Sequence, residues 1–332
     1  MDLWILYGED TESAADLAFE TRRFISEGKK LGIGVHVYKP DQFDLLVTKD
    51  DRESILIDGN PTALPDCFLP YLDPESRGYF PLAIVRQMAR LGVQVFNRAS
   101  TIETVADKLH THQILAETGL PTPATMLAKF PVDIDLIEST IGFPVVVKTL
   151  LGSNGSGVFL IENREAFLDL MELIGETNPN IQLIFQQYVS ASKGRDVRLF
   201  VVDGQVIASM ERRAQGDGFK ANYSQGGSVL PFEPDETAKE LAIKTAEVLN
   251  IQVAGIDLLF TDDGKYTICE ANTFPGFKGL EKACDVNVAR AVLEAMVKKN
   301  QEINGGGSES DDFNKQARSE DPSDQPYAVQ TK

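Results

Sequence analysis

The run 255–276 constrains the fold more than any other part of the chain, because it is predicted to form a β-hairpin that carries facing acidic side chains. Two β-type segments flank an Asp-Gly pair at 263–264, which is a strong hairpin signal. A two-residue turn at this pair would place Asp257 directly opposite Glu270, with about 4.5–5.5 Å between their Cβ atoms. Asn272 would point to the same face, because side chains alternate along a strand.

Two carboxylates that face each other destabilise a sheet unless a cation lies between them. Oxygen ligands of this kind suit Mg²⁺ or Mn²⁺ rather than zinc. The pattern therefore predicts a divalent-metal site formed by Asp257, Glu270 and Asn272. The alternative is a solvated acidic hairpin whose register slips by one residue, although apolar neighbours such as Ile256 and Leu258 indicate a buried ladder.

Composition and charge argue against several classes of protein. The chain has 332 residues, 42% of them hydrophobic, which is enough for two or three compact modules. Fifty acidic and 32 basic residues give a net charge of −18, which argues against general nucleic-acid binding. No apolar run reaches the roughly 18 residues of a membrane span, and the three cysteines fit neither a disulfide framework nor a zinc site.

The N-terminus opens into a predicted strand at Leu3–Tyr7 without a cleavage signal. Together with the composition, this predicts a cytoplasmic protein that binds neither nucleic acid nor membranes. A homo-oligomer is compatible with these features.

Strands and helices alternate over the first hundred residues, with an amphipathic helix predicted over Thr11–Leu31. This alternation predicts an N-terminal α/β domain, residues 1–98, built on a parallel sheet. The polar stretch at the other end, residues 301–332, predicts a disordered acidic tail.

A second domain is predicted over residues 99–300. Ser100 and Glu103 have capping-box spacing and predict the start of a helix that runs to about Glu117.

A strand, a glycine-rich loop and a second strand are predicted over 143–161. A Walker A motif would carry Gly-Lys-Ser/Thr before a helix, and a Rossmann fingerprint would also lead into a helix, so the loop is neither. Small residues let backbone N–H groups approach phosphate oxygens, which favours a flap over phosphates, although a plain hairpin with a flexible tip explains the loop equally well. Lys148 in the first strand, and Lys108 on an earlier helix, are candidate phosphate ligands or ordinary surface lysines. The loop consists of Gly152, Ser153, Asn154, Gly155, Ser156 and Gly157.

Arginines cluster on two later strands. Arg198 lies on the strand that begins at Arg195, and Arg212 and Arg213 lie on the next one. Cations beside apolar strands in an acidic chain predict an anion site, where guanidinium groups can stabilise a transferring phosphoryl group or a carboxylate. Strand alternation puts Arg212 and Arg213 on opposite faces, so only one of them is expected to contact a reacting phosphate.

Taken in order, these elements resemble the RimK-like glutamate ligases of the ATP-grasp superfamily, over about residues 95–300. The first ninety residues resemble the group's pre-ATP-grasp domain only loosely. The matching motifs are Asp107-Lys108-Leu109, Val147-Lys148, the loop Gly152–Gly157, Lys193-Gly194-Arg195-Asp196-Val197-Arg198, Glu211-Arg212-Arg213-Ala214, Phe219-Lys220-Ala221-Asn222, Gly226-Gly227, Val253-Ala254-Gly255-Ile256-Asp257 and Glu270-Ala271-Asn272-Thr273-Phe274-Pro275-Gly276.

The resemblance implies a mixed α/β and α+β fold in which ATP lies between two subdomains, 99–186 and 187–300. It implies that a substrate carboxylate attacks the γ-phosphate and that an amine then displaces phosphate from the acyl phosphate, which forms an amide. The substrates would be ATP, glutamate or a related amino acid, and a carboxylate-bearing protein, peptide or small molecule.

The resemblance also assigns roles to individual residues. The metal ligands would be Asp257, Glu270 and Asn272, which would bind Mg²⁺ or Mn²⁺. The charge-stabilising arginines would be Arg198, Arg212 and Arg213. The nucleotide would be held by Lys108, Lys148, Gly152, Ser153, Gly155, Ser156, Gly157, Gln187, Tyr188, Asp196, Lys220 and Asn222.

Several positions depart from the family pattern. Gln187 replaces a usual acidic residue in the hinge, Gln225 stands where arginine is usual, and Phe274 stands where a small hydroxyl residue is common. Segment 70–73 replaces a more basic one. The last three departures leave the amino-acid substrate open, with a glutathione-synthetase-like ligase and a lysine-biosynthesis-type ligase as the alternatives. A non-catalytic nucleotide-binding regulator on the same fold is a separate alternative, which the loss of a metal ligand or phosphate lysine would favour.

Three further residues are assigned to structure rather than chemistry. His110 and His112 lie two apart on one predicted helix and therefore face different directions, which indicates surface or capping positions. Cys269 alternates away from Glu270 and is predicted to lie in the core.

Overall fold

The computed structural model describes residues 1–8, 18–48, 54–72, 77–150, 157–178, 180–216, 218–221 and 226–305. The helices are α1 Phe19–Leu31, α2 Tyr79–Arg90, α3 Ala99–Ala106, α4 Lys108–Glu117, α5 Ile134–Thr140, α6 Arg164–Thr177, α7 Glu236–Val248, α8 Lys278–Ala283 and α9 Val288–Gly305. The strands are β1 Asp2–Tyr7, β2 Gly34–Tyr38, β3 Phe43–Leu45, β4 Ile55–Ile57, β5 Asn60–Pro61, β6 Cys67–Tyr71, β7 Gln94–Val95, β8 Thr125–Leu127, β9 Val145–Thr149, β10 Val158–Ile161, β11 Leu183–Gln187, β12 Arg195–Val202, β13 Gln205–Arg213, β14 Ser228–Pro231, β15 Val253–Phe260 and β16 Tyr266–Asn272. Within these ranges no helix is long and apolar enough to cross a bilayer.

The N-terminal domain is built on a parallel sheet with strand order β2-β1-β6-β7, as the alternation of strands and helices predicts. Side chains of β1 point alternately to its two faces, and both faces are buried. Trp4 and Leu6 pack against α2 and α3, whereas Leu3 and Ile5 pack against α1 and α9. Three short strands, β3 to β5, form a separate antiparallel sheet.

The rest of the chain forms two antiparallel sheets. Strands β10-β9-β11-β8 pack against α5 and α6, and strands β14-β13-β12-β15-β16 pack one face against α7. In β12 the residues Val197, Leu199 and Val201 face α7, so the residues between them point to the opposite side of the sheet. This alternation places Asp196 and Arg198 on the face of the sheet that points away from α7. The predicted limits of the domains and subdomains stay predictions.

Asn97 joins the N-terminal domain to the five-stranded sheet. Its side chain is fully buried, and Nδ2 donates to the carbonyl oxygens of Val253 and Thr273 at 2.9 and 2.8 Å. Its Oδ1 accepts from the backbone N–H groups of Gln252 and Val253 at 2.7 and 3.1 Å. Three of the four hydrogen bonds of the amide therefore hold the start of β15, and the fourth holds the turn that follows β16.

The predicted capping box at Ser100 is wrong, because Ser100 lies inside α3, which begins at Ala99. The predicted single helix is divided at Asp107, whose extended backbone ends α3 and whose Oδ1 caps α4 by accepting from the N–H of His110 at 3.0 Å. Lys108 is consequently the first residue of α4.

Two other predicted boundaries differ. The predicted helix over Thr11–Leu31 begins at Phe19, since Ala18 has an extended backbone, and residues 9–17 lie outside the described residues. At the other end α9 continues through Gly305, so residues 301–305 are helical rather than part of a disordered tail. The predicted tail beyond them lies outside the described residues.

Candidate nucleotide and metal site

The hairpin β15–β16 forms as predicted, but its turn is different. Thr261 and Lys265 are joined by a backbone hydrogen bond of 2.9 Å, so the loop holds three residues, 262–264. Gly264 has φ +75°, the left-handed conformation that a three-residue hairpin loop requires at this position. The predicted two-residue turn is therefore wrong.

A β-bulge corrects the register further along the hairpin. Leu258 pairs with Ile268, whereas Asp257 pairs with Glu270, so Cys269 is an extra residue in β16. The predicted opposition of Asp257 and Glu270 is confirmed because the bulge compensates for the longer loop. It also brings Cys269 to the pocket that Glu270 lines, which contradicts the predicted core position; burial raises the pKa of this thiol to about 11.

Charged side chains of both signs cross the face of the five-stranded sheet that points away from α7. Asp196 on β12 lies opposite Arg212 on β13, and Arg198 lies opposite Asp257 on β15. Glu270 on β16 follows Asp257. The strand register therefore builds a row of carboxylates and guanidinium groups from residues far apart in the sequence.

The two guanidinium groups share the buried carboxylate of Asp257. Arg198 donates to Asp257 Oδ1 and Oδ2 at 2.7 and 2.8 Å. Arg212 donates to Asp196 at 2.6 and 2.8 Å and also lies 2.9 Å from Asp257 Oδ2. Burial alone would raise the pKa of Asp257, but the charges of Arg198 and Arg212 outweigh it and lower this pKa. Asp196 has one guanidinium partner rather than two, and there burial dominates and raises the pKa.

Arg213 lies outside this row. Its side chain is 51% exposed and pairs with Glu211 at 2.8 Å, whereas the side chain of Arg212 is 5% exposed. The prediction that these two arginines face opposite sides is confirmed. Arg212 is the one that lines the pocket, whereas Arg213 is not among the lining residues, and its predicted contact with a reacting group stays a prediction.

Three predicted phosphate or nucleotide ligands with amino groups line the same pocket. Lys108 Nζ lies 3.4 Å from the carbonyl oxygen of Leu150, and Lys148 Nζ donates to Gln186 Oε1 at 2.7 Å. Burial lowers the pKa of Lys108, while the charge of Glu270 opposes this effect. Lys220 contacts the ring of Phe159, with its Nζ 5.8 Å from the centroid.

The predicted hinge residues Gln187 and Tyr188 also line the pocket, together with Asp196. Burial raises the pKa of Tyr188. Gly157 has φ +67°, and a Cβ atom there would lie 2.6 Å from Thr149 Oγ1, so only glycine fits. The predicted nucleotide ligands that fall outside the described residues are Gly152, Ser153, Gly155, Ser156 and Asn222.

Sequence reasoning missed two residues beside Lys148. Gln186 is 2% exposed and lies between Lys148 and His112. His112 is 6% exposed, so the predicted surface or capping position is wrong for it, whereas His110 is exposed as predicted. Alternation along β11 was the available signal, because it turns Gln186 away from Gln187 and toward the face of Lys148.

The donor set of the predicted metal ligands fits a hard divalent cation. Asp257 and Glu270 supply carboxylate oxygens, and Asn272 turns its Nδ2 toward Gly255 O and Asp257 Oδ2, at 3.4 Å each, which leaves its Oδ1 as a further oxygen ligand. Three of the four donors to Asp257 contact Oδ2 and only Arg198 Nε contacts Oδ1, so Oδ1 keeps a lone-pair position for a cation. Over the described ranges, no group of three His, Cys, Asp or Glu side chains forms a metal cluster of its own, so the site depends on the amide of Asn272.

The turn after β16 closes the site toward the N-terminal domain. A Cβ atom on Gly255 would lie 2.6 Å from Pro275 Cβ, so glycine is required for the turn to fold back on β15. Phe274 packs edge-on against Tyr71, with 6.3 Å between ring centroids, and the guanidinium of Arg77 lies 5.7 Å from its ring centroid. Phe274 and segment 70–73, which both depart from the family pattern, are therefore in contact with each other beside the candidate metal ligands.

Comparison with known proteins gives a consistent assignment. Residues 105–296 match the RimK-like ATP-grasp domain and residues 2–102 match the RimK PreATP-grasp domain. A probable alpha-L-glutamate ligase 2 of Shewanella sp. strain W3-18-1 is 34% identical over 85% of this chain and 92% of its own length. A probable alpha-L-glutamate ligase of Trichodesmium erythraeum is 32% identical over 84% of this chain and 92% of its own length.

Solved structures share the fold. A RimK domain ATP-grasp protein from Sphaerobacter thermophilus superposes with a TM-score of 0.65 at 21% identity, over 89% of this chain and 99% of that one. The ATP-grasp ligase PsnB, complexed with a minimal precursor, Mg and ADP, superposes with a TM-score of 0.68 at 16% identity, over 90% and 98% of the two chains. The predicted fold is therefore confirmed, and the chain belongs to the RimK-like ATP-grasp family of ligases, with a RimK-type pre-ATP-grasp domain at its N-terminal end.

Proposed function

We propose that the protein is an ATP- and Mg²⁺-dependent ligase that joins a carboxylate to an amine, with Mn²⁺ as an alternative ion. One observation carries the proposal. A single pocket is lined by the lysines Lys108 and Lys148, the carboxylates Asp257 and Glu270, and the hinge residue Tyr188. It offers cations for phosphates, oxygen ligands for a metal and an aromatic surface for a base.

The nucleotide would lie along this pocket. Its base would contact Gln187 and Tyr188, its ribose would hydrogen-bond to Asp196, and its phosphates would meet Lys108 and Lys148. Asp257, Glu270 and Asn272 would hold the metal ion, which supplies charge neutralisation at the phosphate oxygens when it is bound.

The chain's own cations would then support phosphoryl transfer. An oxygen of the substrate carboxylate attacks the γ-phosphorus, the bond to the bridging oxygen of ADP breaks, and an acyl phosphate forms. The amine nitrogen next attacks the acyl carbon, phosphate leaves, and the nitrogen loses a proton. Arg198 and Arg212 are rigidly held beside the pocket, so their charges need little reorganisation when negative charge develops.

The substrate class is supported by the relatives. Their designation as probable alpha-L-glutamate ligases supports glutamate or a related amino acid as the substrate that is added. PsnB has been captured with its precursor peptide PsnA2, and the macrocyclase MdnC with its precursor peptide MdnA, which supports a peptide or protein among the acceptors to be tested. Phe274 and Arg77 are in contact where the N-terminal domain faces the metal ligands. We expect these two residues to determine which substrate is bound.

A phosphate-release screen tests the proposal. Purified protein is incubated with ATP, Mg²⁺ and pairs of amino acids, peptides and small acids, and the products of each active pair are identified by mass spectrometry. The proposal predicts phosphate release that requires both partners and an amide product with the mass of the two minus water. Phosphate release without any condensed product, or no nucleotide binding at all, would contradict it.

A further inference from the structure

A buried hydrogen-bond chain lies behind Lys148. Lys148 Nζ donates to Gln186 Oε1 at 2.7 Å. Gln186 Nε2 lies 2.8 Å from Thr125 Oγ1 and 2.9 Å from His112 Nε2. The other ring nitrogen of His112, Nδ1, is hydrogen-bonded to Thr122 Oγ1. The ammonium group at the pocket is thus connected to an imidazole that the pocket does not contain.

The pairing of donors with acceptors in this series of hydrogen bonds fixes the orientation of the Gln186 amide and the tautomer of His112. The amide nitrogen of Gln186 has two N–H groups, which it gives to Thr125 and to His112. Nε2 of His112 must therefore accept, so the ring proton is on Nδ1 and is donated to Thr122. The reversed amide would place its NH₂ group against the ammonium of Lys148, which has no acceptor to offer.

The protonation state of His112 agrees with this assignment. The ring is 6% exposed, and burial, together with the nearby charge of Lys148, lowers its pKa to about 4. The imidazole is consequently neutral near pH 7 and keeps one nitrogen as an acceptor. A protonated ring would present two donors and would oppose the N–H group of Gln186.

We propose that His112 is a positioning residue for Lys148: its Nε2 fixes the amide of Gln186, whose oxygen in turn directs the Lys148 ammonium toward the nucleotide phosphates. This inference rests on the proposed nucleotide-binding function. It gives a role in phosphate binding to a residue that does not itself line the nucleotide pocket but is hydrogen-bonded to Gln186, which does.

Two substitutions at the same position separate positioning from simple packing. In His112→Gln, the longer amide reaches the place of Nε2 and can still accept from Gln186. In His112→Asn, the shorter amide reaches only the place of Nδ1, near Thr122. Both remove the ring, so a packing role predicts similar consequences for the two variants, whereas a positioning role predicts that only glutamine restores binding.

The measurement is the affinity for Mg²⁺–ADP by titration calorimetry at pH 7.5, with folding checked by circular dichroism. We expect H112N to weaken binding about tenfold, the value of one hydrogen bond, and H112Q to stay within about threefold of the wild type. Exposed His110 provides the matched control, and H110N is expected to bind like the wild type.

A double-mutant cycle with Lys148→Ala shows whether the effect passes through the lysine. We expect H112N to cause no further loss in the K148A background. Thr122→Val, which removes the acceptor for Nδ1–H and leaves the imidazole in place, should weaken binding in the same direction and serves if H112N does not fold.

Equal affinities for wild type, H112N and T122V would overturn the inference, as would an equal loss from H112N in the presence and absence of Lys148. Either result would leave the proposed ligase function standing. Failure of the wild-type protein to bind Mg²⁺–ADP would instead overturn the proposed function, and the inference with it.

Discussion

Arg198 lies directly opposite Asp257 and donates to both of its carboxylate oxygens, at 2.7 and 2.8 Å. Asp257 is only 3% exposed and also accepts from Arg212. Because two guanidinium groups lower its pKa, this carboxylate stays ionised in a setting where burial would otherwise favour its protonated form. The pair therefore keeps an oxygen ligand and a positive charge side by side, which suits a site where a metal ion and a phosphoryl group meet.

Replacement of Arg198 should lower the rate of ligation strongly. We expect Arg198→Met to reduce kcat by about 10²-fold or more, because one preorganised charge at the reacting group is lost. Arg213→Met is the matched control, since this neighbouring arginine is 51% exposed and pairs with Glu211; its kcat should stay within about twofold of the wild type. An ADP-release assay compares the two, and similar losses in both would refute the assignment.

Enlargement of Gly255 should destabilise the protein. Gly255→Ala would place a Cβ atom 2.6 Å from Pro275, and we expect a loss of about 1–3 kcal/mol in the free energy of unfolding from this overpacking. Gly175→Ala in α6 is the control, because nothing lies within 4 Å of its Cβ position and alanine should add up to about 1 kcal/mol in a helix. Urea unfolding measures both; an unchanged midpoint for G255A would show that the turn can move aside at no cost.

The hairpin shows how far the sequence alone leads. Alternation and the Asp-Gly signal predicted that Asp257 faces Glu270, and the structure agrees, although through a three-residue loop and a bulge at Cys269 rather than a two-residue turn. Both features depend on local backbone conformation, which composition and periodicity do not determine. The opposition of Asp257 and Glu270 was predictable, but the position of Cys269 at the pocket was not.

The residues around Lys148 show a second limit. The lysine itself was predictable because it ends an apolar strand before a glycine loop. The partner His112 was not, because the break of the helix at Asp107 and the packing of α4 against β8 and β11 set its direction. Sequence spacing shows that His110 and His112 point in different directions, but not which one points inward.

The buried imidazole of His112 should make stability depend on pH. Its pKa is about 4 in the folded protein, against 6.5 for an exposed histidine, so the unfolded chain binds more protons between these values. The contribution of His112 to the free energy of unfolding is therefore fully present above pH 6.5. It falls as the pH drops toward 4, by about 3 kcal/mol in total. Urea unfolding of wild type and His112→Gln at pH 7.5 and 4.5 measures this contribution, and we expect the substitution to cost less at pH 4.5. An identical cost at both pH values would contradict the assignment.

Phe274 should influence the choice of substrate rather than nucleotide binding. Its ring contacts Tyr71 and Arg77 of the N-terminal domain and does not line the nucleotide pocket. We expect Phe274→Ser to change KM for the amino-acid substrate by about tenfold, which is about 1.4 kcal/mol and close to the lower end of the value of burying an aromatic side chain, while KM for ATP changes little. Steady-state kinetics with the best pair from the phosphate-release screen measures both constants. A change in KM for ATP alone would contradict the assignment of Phe274 to substrate choice.

Glu270 is expected to be required for ADP formation, because it is one of the proposed metal ligands, and the rate of ADP formation by Glu270→Ala measures this requirement. Asp262→Ala is the control. This aspartate is exposed and lies in the turn of the same hairpin, and its replacement by alanine removes the same charge. With ATP, Mg²⁺ and an active substrate pair, we expect E270A to form ADP at a rate below about one thousandth of the wild-type rate, with an unchanged circular dichroism spectrum, and D262A to keep the wild-type rate. Wild-type ADP formation by folded E270A would contradict the metal site and the proposed mechanism built on it.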